Sequence, residues 1–279
     1  MKKVLVTGEN GYLGKQLKGY LENKEYIVDC MSIRSSKINQ IEFKKYDVII
    51  HAAAIVHQKS SNQFFSINRD LTYKIAKLAK ENGVNHFIFF STMSVFGKSL
   101  GEISFNTPLR PNNDYGKSKL EAEVLIKNLE DDNFKISIVR PPMIYGFNCP
   151  GNYKTLSKIA NLWPTFPRYK NQRSMIFIEN LCELTYLIIK HNLYGIFHPQ
   201  DKEYVSTSKL FKKIREVNGK GTSLISVNTI FRLNVLKRIS IFKKVFGNLF
   251  YSKELSKIEF EYQIINFEES ILKSERGKK

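Results

Sequence analysis

Cysteine, proline and tryptophan are scarce in this chain of 279 residues, which has three cysteines, eight prolines and one tryptophan. The cysteines Cys30, Cys149 and Cys182 are far apart and have the spacing of neither a metal site nor a disulfide framework. We therefore expect no metal and a reducing, cytoplasmic setting. Because no apolar run reaches the ~18 residues of a membrane span, and the first residues lack a signal-peptide pattern, we expect no integral membrane segment.

Carboxylates are also in short supply, with 26 acidic against 44 basic residues and a net charge of +18. A basic surface attracts anions such as nucleic acid, acidic lipid or a phosphorylated small molecule. The lysines are dispersed and no arginine–aromatic cluster is present, so we expect no nucleic-acid partner. The stretch from Thr229 to Phe250 is basic and amphipathic. It indicates either a membrane-surface helix or, as we favour, a helix pair that closes a small domain.

Glycines are few but cluster near the start of the chain. Lys3 to Thr7 has the pattern of a short buried strand, and a helix pattern runs on through Leu21. Between them lies the sequence Gly8-Glu9-Asn10-Gly11-Tyr12-Leu13-Gly14. Its first glycine permits a tight turn, the second lets the backbone approach a pyrophosphate, and the third lets helix and strand pack closely. In this strand–turn–helix context the pattern predicts a dinucleotide-binding turn.

The second predicted strand, Tyr26 to Ile33, lacks the acidic residue at its end that would bind the adenosine ribose of NAD. Arg34 and the two serines after it are suited to a 2′-phosphate instead, which favours NADP(H) while NAD(H) stays possible. Only a dozen residues separate Arg34 from Tyr46. That length is too short for a helix, a strand and a second helix, so we expect one unit of the fold to be missing there.

Further strand patterns at 47–51, 86–90 and 135–140 alternate with helix patterns at 68–82 and around Tyr115. This alternation predicts an α/β fold, a Rossmann-like doubly wound parallel sheet with a small C-terminal α/β substrate domain. We place the NAD(P)-binding domain at 1–145, a mostly substrate-binding region at 146–270 and a disordered basic tail at 271–279. Residues 98–114 are expected to form a loop at the rim of an active site.

Tyr115 and Lys119 lie four residues apart, on one face of a predicted helix. A lysine ammonium near a phenol lowers the pKa of the phenol and so allows proton exchange near neutral pH. Four of the 14 tyrosines have a lysine at this spacing. Of these four tyrosines, only Tyr115 lies downstream of the glycine-rich turn and also 23 residues after Thr92, whose hydroxyl follows a predicted strand. We therefore predict that Tyr115 and Lys119 take part in the reduction of a carbonyl or the oxidation of an alcohol.

Taken in order, these motifs resemble the extended short-chain dehydrogenases/reductases of the nucleotide-sugar epimerase/dehydratase class. The resemblance rests on 7–14, His51-Ala52-Ala53-Ala54, Ser91 to Gly97, Tyr115 to Lys119, Arg140-Pro141-Pro142, and Arg173 with 176–180. Stretches 141–146, 149–152 and 198–201 are similar to the capsular-polysaccharide branch, which resembles UDP-4-keto-6-deoxy-N-acetylhexosamine 4-reductases.

The resemblance implies roles for individual residues. The implied catalytic residues are Thr92, Tyr115 and Lys119. The implied cofactor-binding residues are Thr7, Gly8, Asn10, Gly11, Tyr12, Leu13, Gly14, Arg34, Ala52, Ala53, Ala54, Asn68, Ser91, Tyr115, Lys119 and Pro142. Substrate contacts are implied for Thr92, Ser94, Met143 and Arg173, of which Arg173 holds the diphosphate. Met143 departs from the Asn that related enzymes often carry.

Three functions follow as hypotheses. We favour NAD(P)H-dependent reduction of the C4 keto group of a UDP-6-deoxy-N-acetylhexosamine for capsule or surface polysaccharide. The alternative is an NAD-dependent 4-epimerase of UDP-glucose or UDP-N-acetylglucosamine, and a non-catalytic nucleotide-binding protein is the third. A homodimer is possible, through a four-helix interface that uses the Tyr115 helix and the 68–82 helix.

Overall fold

The computed structural model describes residues 1–32, 38–56, 61–226 and 246–277. The chain divides into two compact units. Unit 1 comprises Met1–Gly97, Pro108–Pro141 and Leu181–Pro199, and unit 2 comprises Lys98–Thr107, Pro142–Asn180 and Gln200–Lys279. The chain therefore leaves each unit and returns to it, rather than crossing once near residue 145 as the sequence had predicted.

Unit 1 contains a six-stranded sheet in which every pair of neighbouring strands is parallel. The strands are β1 (Lys3–Thr7), β2 (Ile27–Met31), β3 (Val48–His51), β4 (His86–Phe90), β6 (Lys135–Val139) and β10 (Gly195–Phe197), in the order β10-β6-β4-β3-β1-β2. The short apolar runs of β1, β3 and β4 are buried throughout or nearly so, as expected for strands covered on both faces. The predicted parallel α/β fold is confirmed.

Helices of unit 1 pack on this sheet through apolar faces. They are α1 (Tyr12–Glu22), α2 (Ser61–Phe64), a π-helical segment (Phe65–Leu71), α3 (Thr72–Glu81), α4 (Asp114–Lys127) and the Leu181–Lys190 part of α6 (Ile178–Lys190). One buried cluster joins Ile75 and Ala79 of α3 and Ile126 of α4 to Phe87 of β4. Among the described residues between β2 and β3 there are only two 3₁₀ turns, Ile38–Gln40 and Phe43–Lys45, as the missing-unit prediction requires.

The strand order sets the position of the site. β1 lies between β2 and β3 in the sheet. The connection from β1 to β2 therefore leads to one side of β1, and the connection from β2 to β3 leads to the other side. In open α/β sheets such a reversal opens a crevice at the carboxyl ends of the strands, where ligands bind. The glycine turn after β1 and the alanines after β3 both belong to this edge.

Unit 2 is built from three separate two-stranded parallel ladders. They pair β7 (Met143–Tyr145) with β9 (Met175–Phe177), β5 (Gly101–Ile103) with β12 (Leu249–Tyr251), and β8 (Thr165–Arg168) with β11 (Ser223–Ser226). Among the described residues of unit 2, the helices are α5 (Asn152–Leu162), α7 (Thr207–Val217) and α8 (Phe267–Arg276), together with the first residues of α6.

Several boundaries correct the sequence predictions. The helical path predicted to begin at Asn68 begins at Ser61, and the predicted loop 98–114 contains β5. Residues 181–199 join unit 1 because β10 adds to the edge of its sheet beside β6. Most of the predicted amphipathic stretch from Thr229 to Phe250, namely 229–245, lies outside the described residues, while Leu249 and Phe250 belong to strand β12.

The predicted disordered tail is wrong for residues 271–276, which belong to α8. The Asn266 side chain caps this helix at the Glu269 amide, at 3.0 Å. Glu268 and Glu269 lie in its first turn and basic residues in its last, which suits the helix dipole. Buried Ile271 anchors the helix, so apolar burial and capping outweigh the charged composition.

Candidate active site

The glycine-rich turn is as tightly packed as its spacing predicts. Gly8 has a φ of +99°, and a Cβ added there would lie 3.1 Å from the Ala53 amide nitrogen. A Cβ on Gly14 would lie 2.3 Å from the Gly8 carbonyl oxygen, closer than real Cβ atoms come. Both positions therefore require glycine, the first for the turn and the second for the packing of α1 on that turn.

The N-terminus of α1 fits the phosphates of a dinucleotide. Gly11 is the N-cap residue, and no side chain among the described residues bonds the first turn as a cap. The first turn contains no acidic side chain. Free amide groups and the positive end of the helix dipole together favour a bound anion.

A buried polar chain supports this turn from below. The Thr7 hydroxyl bonds Nδ1 of His51 at 2.8 Å, and Nε2 of His51 bonds the Thr72 hydroxyl at 2.9 Å. His51 also stacks on Phe89, with ring centroids 5.9 Å apart. Burial, and after it the charge of Lys119, lowers the pKa of His51 to about 3, so the ring stays neutral. Thr7, predicted to bind cofactor, is fully buried and joins β1 to β3.

Asn68 likewise serves as a support. Its side chain is fully buried in the π-helical segment. Its carbonyl accepts from the Ile55 amide at 2.9 Å and its amide donates to the Ile55 carbonyl at 3.0 Å. It also donates to Ser118, whose hydroxyl donates to the Tyr115 carbonyl at 2.9 Å. Asn68 thus ties the segment after β3 to the Tyr115 helix, and the amide is occupied by protein groups rather than aimed at a ligand.

Thr92 and Tyr115 meet directly after β4. A hydrogen bond joins the two side chains. The Thr92 hydroxyl also accepts from the Ser94 amide at 3.1 Å and donates to the Ser94 hydroxyl at 3.2 Å, so it caps the 3₁₀ turn Met93–Phe96. The structure therefore brings together three of the predicted residues, Thr92, Ser94 and Tyr115.

Two residues that the sequence analysis missed make this meeting possible. A Cβ on Gly116 would lie 2.7 Å from the Ser94 carbonyl oxygen, so glycine lets α4 approach the strand end. Asn113 caps α4 by accepting from the Gly116 amide at 2.8 Å. Asn two residues before the tyrosine, followed by acidic Asp114, is the ordinary signal of a helix N-terminus.

The protonation of the pair differs from the sequence prediction. Burial raises the pKa of Tyr115, and the hydrogen bond with Thr92 opposes that rise. Lys119, expected to lower this pKa, is not among its causes. Burial lowers the pKa of Lys119 itself to about 7, against the opposing charge of Glu123, so its own charge is only partial near neutral pH.

The Lys119 amine is the group in this site that is best suited to bind a ligand. Its side chain is 1% exposed, and Nζ has no hydrogen-bond partner among the described residues. It lies 4.1 Å from the centroid of the Phe89 ring. A buried ammonium without a partner is costly, and the hydroxyls of a nicotinamide ribose would satisfy it. The residues present therefore fit a bound dinucleotide at both the glycine turn and Lys119.

Ser91, predicted to bind cofactor, donates its hydroxyl to the buried carboxylate of Glu123 instead. Glu123 also accepts from Nε of Arg140 at 3.1 Å and from Nη2 at 2.5 Å. Nη1 of Arg140 lies 3.4 Å from Nε2 of His198. No local sequence pattern indicates this network, although Glu123 is one helical turn beyond Lys119.

Of the remaining predicted residues, Arg173, Met143 and Pro142 belong to unit 2, and Arg34 lies outside the described residues. Arg173 is partly buried, which lowers its pKa, and its Nη1 donates to the Gly247 carbonyl at 3.0 Å. Met143 begins β7, which pairs with β9 two residues after Arg173, and Pro142 precedes it. Arg34, on which the NADP preference rests, lies outside the described residues.

Fold and site together define an NAD(P)-dependent enzyme of the epimerase/reductase class. The chain belongs to the NAD dependent epimerase/dehydratase family, whose model matches residues 4–197. It is 28% identical to UDP-glucose 4-epimerase of Vibrio cholerae, over 76% of this chain and 75% of that protein. It is 27% identical to the N-acetyl-alpha-D-glucosaminyl-diphospho-ditrans,octacis-undecaprenol 4-epimerase of Escherichia coli O157:H7, over 76% and 71% of the two chains.

Solved structures share the fold. UDP-N-acetylglucosamine 4-epimerase of Bacillus cereus superposes with a TM-score of 0.79 at 19% identity, over 98% of both chains. dTDP-4-dehydrorhamnose reductase of Bacillus anthracis, solved with NADP, superposes with a TM-score of 0.69 at 25% identity, over 82% of this chain and 85% of that one. Among the described residues, no helix is long and apolar enough to cross a membrane.

Proposed function

We propose that this enzyme reduces the C4 keto group of a UDP-6-deoxy-N-acetylhexosamine. The observation that carries the chemistry is the meeting of the Thr92 hydroxyl with the Tyr115 phenol after β4, beside a lysine amine without a protein partner. The preference for reduction over epimerisation rests on the sequence. No acidic residue occurs between Asp29 and Glu42, where a carboxylate would favour NAD.

Each residue has one task in this proposal. A bound reduced nicotinamide supplies the hydride that adds to C4. Tyr115 donates its phenolic proton to the C4 oxygen, so that hydride and proton together convert the carbonyl to an alcohol. The Thr92 hydroxyl donates a hydrogen bond to the same oxygen as negative charge develops on it. Its existing bond to Tyr115 keeps both groups directed at one point.

Lys119 and Arg173 act on charge. The Lys119 amine binds the nicotinamide ribose and, once hydrogen-bonded there, favours the phenolate of Tyr115 after proton transfer. Arg173 offers a planar guanidinium that suits the substrate diphosphate. The amides that open α1 hold the cofactor pyrophosphate. NADP(H) is the favoured cofactor, on the basis of Arg34 and its neighbouring serines.

A 4-epimerase is the second candidate function, and the names of two relatives support it. Two curated relatives that match about three quarters of this chain are named as 4-epimerases. Tyr115, with Thr92, would then take the proton from the C4 hydroxyl oxygen of a UDP-sugar such as UDP-N-acetylglucosamine while a bound NAD would accept the hydride from C4. After the keto sugar rotates, hydride would return to the other face of C4 and Tyr115 would return the proton to the oxygen. Tightly retained NAD is expected in that case. For either function we also propose a homodimer whose interface contains α3 and α4.

One assay separates the two. Purified protein is mixed with NADPH and a UDP-4-keto-6-deoxy-N-acetylhexosamine, and the absorbance of the reduced nicotinamide is followed. Oxidation of one NADPH per sugar supports the reductase. No oxidation, together with interconversion of UDP-N-acetylglucosamine or UDP-glucose with its C4 epimer, overturns the reductase in favour of the epimerase.

Tyr115→Phe removes only the phenolic oxygen. Because proton transfer is worth roughly 10²–10⁴-fold, we expect turnover to fall by that factor while the Kd for NADPH changes little. Tyr73→Phe is the matched control, since Tyr73 also precedes a lysine by four residues but lies on α3. Full activity in Tyr115→Phe would refute the role of Tyr115.

A further inference from the structure

Three neighbouring strands of unit 1 end in a row of polar side chains. Phe90 of β4 pairs with Val139 of β6, and Val139 pairs with Phe197 of β10. The residues that follow, Ser91, Arg140 and His198, are therefore in register at the carboxyl edge of the sheet. All three are buried. Polar side chains buried at this depth require hydrogen-bond partners.

Glu123 of α4 is the partner of two of these side chains, Ser91 and Arg140. Its carboxylate accepts from Ser91 and, at two points, from Arg140, and the two side chains of this ion pair are 4% and 6% exposed. The contact fixes α4 to the ends of β4 and β6. A buried ion pair of this kind adds little net stability compared with apolar residues of the same size. The position of Glu123 on α4 indicates a role for this ion pair other than stability.

Glu123 lies one turn beyond Lys119 and two turns beyond Tyr115, on the inward face of α4. We propose that Glu123, held by Arg140 and Ser91, is a positioning residue that fixes a negative charge one helical turn from Lys119 and holds the Tyr115–Lys119 pair against Thr92. The proposal rests on the proposed function, since it concerns the same reaction. Glu123 acts through α4 and through charge, and it does not touch the substrate.

The charges around Lys119 support this assignment. From α4, Glu123 favours the ammonium, against the effect of burial. From β3, His51 is neutral because its pKa is about 3. Tyr115, on the same helix, is neutral because burial raises its pKa. Arg140 follows β6 and is paired with Glu123, so the carboxylate is the group near Lys119 that favours its charge.

The titration of Lys119 can be measured without cofactor or sugar. The folded-state pKa lies below the ordinary 10.5, so the unfolded chain binds more protons between the two values. The stability of the parent relative to Lys119→Met therefore rises with pH through that window. In a Glu123→Gln background the same comparison should show the rise beginning at lower pH, because the carboxylate that favours the ammonium is gone.

Turnover supplies the second readout. Glu123→Gln should lower kcat on the order of 100-fold, the loss expected from a small misplacement of catalytic groups, with KM for the sugar much less affected. Glu121→Gln is the matched control, because Glu121 lies on the same helix and pairs with Arg69 at the surface. It should leave both the pH onset and kcat unchanged.

An unchanged pH onset in Glu123→Gln overturns the proposal. If Glu123→Gln does not fold, the pair Glu123→Leu with Arg140→Met removes both buried charges, and the same comparison with Lys119→Met is made in that background. If the parent turns over no nucleotide sugar, the proposed function fails. The pH at which the stability difference begins to rise still tests whether Glu123 affects the charge of Lys119.

Discussion

Each unit contains a buried carboxylate, Glu123 in unit 1 and Asp201 in unit 2, and the two are bound by different kinds of donor. In unit 1, Glu123 is bound by a guanidinium and a hydroxyl. In unit 2, Asp201 is bound mainly by neutral donors, with the Tyr145 hydroxyl and the Asn180 amide each at 2.8 Å. The Phe177 amide adds contacts of 3.1 and 3.2 Å.

This difference appears in the protonation of Asp201. Burial raises its pKa to about 6, and the hydrogen bonds from Asn180 and Tyr145 oppose that rise without cancelling it. The donors come from β7, the end of β9 and α6, and Tyr145 also bonds Ser270 of α8. The Asp201 network therefore ties segments of unit 2 together, whereas the Glu123 network fixes the helix that contains Tyr115 and Lys119 to the ends of β4 and β6. Damage to the first should change stability, and damage to the second should also change chemistry.

The largest expected effect comes from Arg140→Met, which leaves Glu123 buried without its cation. We expect the free energy of unfolding to fall by about 3–5 kcal/mol, as measured by urea denaturation. The control Arg69→Met breaks exposed pairs with Asp70 and Glu121 and should cost at most about 1 kcal/mol. Equal losses in the two variants would show that burial does not distinguish these ion pairs.

Asp201→Asn tests the other carboxylate. Because the folded-state pKa is above the unfolded value of 3.8, the parent loses stability as pH rises from about 4 to about 6. A pKa change of this size corresponds to about 3 kcal/mol. From pH 4 to pH 7 the stability of Asp201→Asn relative to the parent should therefore improve by about that amount, in urea titrations at each pH.

A surface carboxylate provides the contrast. Asp131 is exposed, and its hydrogen bonds with Lys80 and backbone amides lower its pKa. The parent therefore gains stability from Asp131 as pH rises through its folded-state pKa, so Asp131→Asn should show a small trend of opposite sign. The same sign in both variants would contradict the assigned environments.

The smallest effect compares two helix caps. Asn113 caps α4 and Asn266 caps α8, with side-chain contacts of 2.8 and 3.0 Å. Each change to Ala should cost about 1 kcal/mol. Only Asn113→Ala should also reduce kcat, because that cap precedes Tyr115 by two residues. A similar loss of kcat in Asn266→Ala would remove the distinction between the units.

The parts predicted correctly are those with local causes. The strand–glycine–helix turn follows from residues 3–14 alone, because Gly8 and Gly14 must be glycine for steric reasons. Thr92 and Tyr115 were singled out by spacing, and their side chains are hydrogen-bonded. The parts missed depend on contacts between separate segments, since Asn68 contacts Ile55 across 13 residues, and Ser91, Arg140 and His198 come together only through sheet register.

The sequence by itself determined the kind of sheet, the cofactor turn and the tyrosine–lysine pair, because apolar runs, glycine sterics and helix spacing act within a few residues. Only the tertiary structure decided the protonation of that pair and the return of residues 181–199 to unit 1. A pKa depends on how many groups surround the side chain and exclude water, and strand order depends on pairings across the whole chain. Neither quantity is present in any short stretch of residues.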